Sequence, residues 1–131
     1  MTVDSTFTIL ESAIGAANKR NEVISENIAN VNTPGYKRGR VSFEEQLKRA
    51  LTENSTEGKV TQEKHIPIGQ TVAEIAPRVV REDSQFMRND DNNVDIDVEM
   101  AELNKNTLHH NALVRQLNSK IGRLRTAIQE N

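Results

Sequence analysis

The 131-residue chain contains no cysteine, so no disulfide frames its fold, and cysteine usage assigns it to neither an oxidising nor a reducing compartment. Aromatic side chains are scarce, limited to Phe7, Tyr36, Phe43 and Phe86, and with 35% apolar residues the material for a globular core is thin. No apolar run approaches the ~20 residues needed to cross a bilayer. The start, Met1-Thr2-Val3-Asp4, lacks the basic and apolar regions of a secretory leader, so the expectation is a protein that stays in the cytosol or leaves without a cleaved signal. A surplus of one charge is missing too. The 17 basic and 19 acidic residues interleave to a net charge of −2, which offers no field for nucleic acid.

Catalytic chemistry has little to work with. There is no thiol nucleophile and no Gly-x-Ser-x-Gly, and the glycines at 15, 35, 39, 58, 69 and 122 form no loop that would cradle a phosphate. His109 and His110 are adjacent, which on a helix points them ~100° apart, and His65 stands alone, so no metal site is expected. Asp91-Asn92-Asn93-Val94-Asp95, with Glu102 at the twelfth position, has the outline of a calcium loop, but Ile96 stands where the sharp turn needs glycine. A helix start rich in carboxylates is the simpler reading. Neither cofactor nor small-molecule substrate is expected.

What the chain does have is helical periodicity at both ends. Phe7, Leu10, Ile14, Ala17, Ile24, Ile28 and Val31 recur at alternating 3,4 spacing, interrupted by polar Asn21. Thr8 and Glu11 have capping-box spacing near the start, and Asn32-Thr33-Pro34-Gly35 ends the helix in a type II turn. Met100, Leu103, Val114, Leu117, Ile121, Leu124 and Ile128 form a second seam, with Thr107 and His110 between, on a helix from about Asp97 to about Gln129.

Between them, residues 43–51 suit a short helix, and Thr52 to Lys59 read as a loop. Residues 60–81 have room for short strands only, because Pro67, Gly69 and Pro77 interrupt them. Lys37-Arg38-Gly39-Arg40 reads as a solvated basic turn and residues 88–93 as a polar linker. The fold class is therefore mainly α: two long terminal helices of coiled-coil type, pairing antiparallel, over 5–32 and 95–130, joined by a short irregular segment over 33–94 in a single domain. Flanking apolar residues such as Ile9, Ala13, Leu108 and Leu113 widen each helix to a face that one partner does not cover. Folding coupled to assembly with further chains is the expectation.

Ser25-Glu26-Asn27-Ile28-Ala29-Asn30-Val31-Asn32-Thr33-Pro34-Gly35-Tyr36-Lys37 resembles the signature of the bacterial flagellar rod and hook family. Asn92-Asn93-Val94-Asp95-Ile96-Asp97, then Glu99-Met100, looks like the opening of the C-terminal helix in that family's proximal rod subunits, which tend to have glycine where this chain has Asp91. The short middle separates it from hook and distal rod subunits, which carry larger inserts. The resemblance implies a structural, non-enzymatic subunit of the flagellar basal body, exported through the flagellar export apparatus without a cleaved signal. Its partners would be other rod subunits, the membrane-embedded base and further copies of itself. It also implies subunit contacts along Phe7, Leu10, Ile14, Ile24, Asn27, Ile28, Asn30, Val31, Asn32, Pro34, Gly35 and Tyr36, and along Val114, Leu117, Ile121, Leu124 and Ile128. Asn27, Asn30 and Asn32 are expected to satisfy backbone groups at the helix end and across a subunit boundary. A cytosolic coiled-coil adaptor, and another proximal rod subunit of the family, are the alternatives.

Overall fold

The computed structural model describes residues 3–53, 75–83 and 91–129. Helix α1 spans Val3–Ala29, strand β1 Gly39–Ser42, helix α2 Glu44–Glu53, strand β2 Arg78–Arg81 and helix α3 Ile96–Gln129. The 34 residues of α3 extend about 51 Å at ~1.5 Å per residue. Of the segment 60–81 expected to hold short strands, residues 60–74 lie outside the described residues, as do residues 88–90 of the expected linker.

Three expectations need correction. Helix α1 is already formed at Val3, so Thr8 and Glu11 lie inside it and do not mark its start. Of the expected basic turn Lys37-Arg38-Gly39-Arg40, Gly39 and Arg40 instead open a strand over 39–42, whose burial alternates with the pleat: Gly39 and Val41 inward, Arg40 outward. Residues 91–93 are not a loose linker, since Asn92 and Asn93 are buried. In addition, α2 runs two residues past Leu51.

The C-terminus of α1 tightens as it ends. Asn30 N–H is shared between the carbonyls of Glu26 and Asn27, at 3.1 Å each, and Val31 N–H reaches back to Ile28 at 3.3 Å. Gly35 has φ 70°, and Tyr36 N–H donates to Thr33 C=O at 3.3 Å, the two features a type II turn requires. The chain is thereby turned into β1, which pairs antiparallel with β2 in the register Gly39↔Arg81 to Ser42↔Arg78.

Helices α1 and α3 run antiparallel. Asn27 meets Glu99, Ala17 and Asn21 meet Asn106, and the Lys120 ammonium sits 5.2 Å from the centroid of the Phe7 ring. Helix α1 is covered on two sides. Leu10, Ala17 and Ile24, spaced seven apart, are buried along the column that includes Ala17, whose carbonyl Asn106 reaches. Ala16 and Val23 pack instead with Val41, Phe43, Ala50 and Ile75, with Ala13 and Leu47 at the margin. Among the described residues no helix is long and apolar enough to cross a membrane.

Candidate functional site

The end of the hairpin where α1 finishes and α3 begins is held by polar side chains. Asn27 is fully buried, and its amide lies alongside the backbone of β1. Gly39 N–H donates to Asn27 Oδ1 at 2.8 Å, and Asn27 Nδ2 donates to Gly39 C=O at 2.9 Å, so a side chain supplies the pairing that a neighbouring strand would. Such proximity requires glycine: a Cβ on residue 39 would stand 2.9 Å from Val23 Cγ1.

Asn27 Nδ2 also donates to Glu99 Oε2 at 3.0 Å, and the other oxygen of this fully buried carboxylate accepts from Arg38 Nε. Arg38 reaches on to Glu82 at 3.3 Å. Burial opposes the guanidinium charge, but the hydrogen bond and charge of Glu99, joined by Glu82, outweigh it and hold the Arg38 pKa above its ordinary value. A buried carboxylate is tolerated here because it is paired and hydrogen-bonded on both oxygens. Among the described residues no buried side-chain polar atom lacks a partner.

Asn92 and Asn93 fasten the entry to α3 against the end of α1. Asn92 Nδ2 lies 2.8–3.1 Å from the carbonyls of Asn30, Val31 and Thr33, a cap delivered from 60 residues away in sequence. Its Oδ1 accepts from Val94 N–H at 2.8 Å. Asn93 Oδ1 accepts from Arg38 N–H at 2.6 Å, and Asn93 Nδ2 donates to Glu82 C=O at 2.9 Å. Asp95 Oδ1 caps α3 by accepting from Asp97 N–H at 2.9 Å. The residues that outline a calcium loop are thus engaged in joining the two helices. Asp91 opens this entry at φ 56°, the left-handed region where glycine is comfortable and other residues are not.

Placed on the fold, the expected contact residues divide into three groups. Leu10, Ile24 and Asn27 are buried within the chain, so the Asn27 amide is engaged inside the molecule. Phe7, Ile14, Ile28, Asn30, Val31, Tyr36, Val114, Leu117 and Leu124 are half-buried, and Asn32, Pro34, Gly35, Ile121 and Ile128 are exposed. Pattern reasoning missed Arg38, Asn92, Glu99 and Asn106. Their spacing was available, since Glu99, Asn106, Leu113 and Lys120 recur every seven residues, but their residue types are not those that mark a packed column.

Helix α3 therefore has three parallel columns of seven-residue repeat. The column deepest against α1 begins with buried Glu99 and Asn106. The next, Leu103, His110, Leu117 and Leu124, is half-buried throughout. The outer column is Met100, Thr107, Val114, Ile121 and Ile128. Met100 is 46% exposed, Ile121 49% and Ile128 75%. The apolar seam legible in the sequence combines the second and third columns, one step round the helix from the face that meets α1.

Comparison with known proteins points to flagellar basal body rod proteins. Residues 7–37 match the family model described as flagella basal body rod protein. The chain is 35% identical to the flagellar basal body rod protein FlgB of Bacillus subtilis, over 94% of this chain and 92% of that protein. It is 31% identical to FlgB of Proteus mirabilis over 98% of this chain and 96% of that one, and 34% identical to FlgB of Borreliella burgdorferi over 72% and 73%.

Proposed function

This chain belongs to the FlgB family of flagellar basal body rod proteins, and from that premise we propose that it is a structural subunit of the proximal rod, polymerising through the outer faces of α1 and α3. It helps to form the shaft between the membrane-embedded base and the distal rod. The observation that carries this reading is the outer column of α3. Three large apolar side chains, Met100, Ile121 and Ile128, remain in solvent on the column that runs the length of the helix. Covering each contributes about 1.5–3 kcal/mol, and in a polymer of like chains the neighbouring helices supply the cover. Half-buried Phe7, Ile14 and Ile28 extend the contact onto α1, and Val31 onto the turn that follows it.

The partners are copies of this chain, other rod subunits and the base on which the rod stands, with the flagellar export apparatus met in transit. The role is mechanical, and it asks for no substrate. Ile121→Asp against Leu117→Asp is the test. Ile121 is half exposed, so Ile121→Asp leaves the helix content of the isolated chain intact and abolishes swimming, with rods absent from basal-body preparations. Leu117→Asp also disturbs the chain itself. Normal swimming by Ile121→Asp cells would remove the proposed contact.

A further inference from the structure

We propose that Asn106 and Asn21, alongside the Asn27–Glu99 contact, select the register of α3 on α1, which the apolar seam alone does not do. The apolar columns repeat every seven residues, so over the distal part of α3 a one-heptad slide keeps apolar residues in apolar positions: Leu117 moves to the level of Leu124 and Val114 to that of Ile121. The polar contacts do not repeat in that way.

Asn106 is buried at 2% exposure, and its Nδ2 donates both to Ala17 C=O at 2.8 Å and to Asn21 Oδ1 at 2.7 Å. Its Oδ1 accepts from Arg20 at 3.3 Å, and Arg20 continues to Glu44 at 2.6 Å, which ties the same lock to α2. A one-heptad slide would bring Leu113 or Glu99 opposite Asn21 and leave the Asn106 amide buried without these partners. Seven residues before Asn106 on α3, Glu99 accepts from Asn27 on α1 and reinforces the same register. A buried asparagine that sacrifices stability for a single alignment is a well-attested use of such residues.

The inference rests on the proposed rod function only for why one register matters, because a slid hairpin would present its outer column at the wrong height to every neighbour. Its test is made on the isolated full chain, so either reading can fail alone. The chain has no cysteine, which permits spin labels at Glu22→Cys and Arg115→Cys, both at exposed positions and at different levels of the antiparallel pair, so that an axial slide changes their separation directly. The background with native Asn21 and Asn106 gives one inter-label distance. Adding Asn21→Leu and Asn106→Leu yields a second population displaced along the helix by about 10 Å, one heptad at ~1.5 Å per residue. A single unchanged distance in a folded double variant would overturn the proposal. Should that variant not fold, Asn106→Leu alone gives the same readout. Failure of both to fold would equally overturn it, because the pair would then supply stability and not selection.

Discussion

Asn27 and Glu99 lie 72 positions apart in the chain, and their side chains meet at 3.0 Å with no solvent reaching either. The contact joins the last turn of α1 to the first turn of α3, while the other carboxylate oxygen of Glu99 holds Arg38 beside β1. Three segments are thereby fixed at one point. Glu99→Gln places an amide N–H₂ against one of two donors, Asn27 Nδ2 or Arg38 Nε, and leaves Arg38 with Glu82 alone. The expected cost is about 2–4 kcal/mol in urea unfolding, reduced from the full value of a broken buried pair because Arg38 retains some solvent. A loss below 0.5 kcal/mol, within the range of an ordinary surface change, would mean the clamp is dispensable.

Two glycines sit at consecutive corners of the chain for different reasons, and their alanine variants separate them. Gly35 has φ 70° with open space around its Cβ position, so Gly35→Ala costs about 1 kcal/mol through the backbone alone. Gly39→Ala drives a methyl group into Val23 Cγ1 and costs about 1–3 kcal/mol. Adding Val23→Ala makes room and recovers part of the Gly39→Ala loss, while giving no such recovery to Gly35→Ala. Thermal unfolding of the three single and two double variants reads this directly, and additive losses in the Gly39 pair would contradict the steric account.

Asp91 offers a stabilising substitution. Its φ of 56° is strained for a residue with a Cβ, and the Lys37 ammonium bonds only its backbone carbonyl, at 3.0 Å. Asp91→Gly should therefore gain about 0.5–1 kcal/mol, after allowing for the entropy glycine adds to the unfolded chain, whereas Asp91→Val should lose at least about 1 kcal/mol. Equal denaturation midpoints for the two variants would show that this entry turn carries no strain.

Much of this fold was legible in the sequence because its helices announce themselves by apolar spacing and its first turn by Asn-Thr-Pro-Gly. Glu99 and Asn106 were not legible, since a hydrophobic pattern is blind to a packed column whose buried members are polar. The apolar seam then drew attention to Met100, Ile121 and Ile128, on a column beside the one that meets α1. Strand β1 was hidden for a related reason: Arg38 looks like a solvated charge until Glu99, 61 residues further on, is seen to face it. Asn27 stood out through its place in the signature, but only the structure shows its amide turned inward onto Gly39.

The Arg20–Glu44 pair gives a pH dependence of known sign. Partial burial works to raise the Glu44 carboxyl, but its own backbone N–H, the Arg20 guanidinium at 2.6 Å and the charge of His109 hold it below the usual carboxylate value. A depressed folded pKa means the contribution is complete above the unfolded pKa and disappears as pH falls through the folded one. Because Glu44 is largely exposed, the effect is under about 1 kcal/mol. Glu44→Gln should flatten the acid limb of the stability curve between pH 5 and the low pH values at which Glu44 protonates. An unchanged acid limb would assign that loss to other carboxylates.

The central claim is that the outer column of α3 is covered by a neighbouring chain in the assembled rod. Photo-cross-linking from benzoylphenylalanine placed at Ile121 or Ile128, in purified basal bodies and with the joined peptides identified by mass spectrometry, tests it most directly. The account predicts adducts between two rod-subunit chains from both positions, and from exposed Asn104 on the same helix far fewer. Only intrachain adducts from Ile121 and Ile128 in basal bodies that contain complete rods would contradict it.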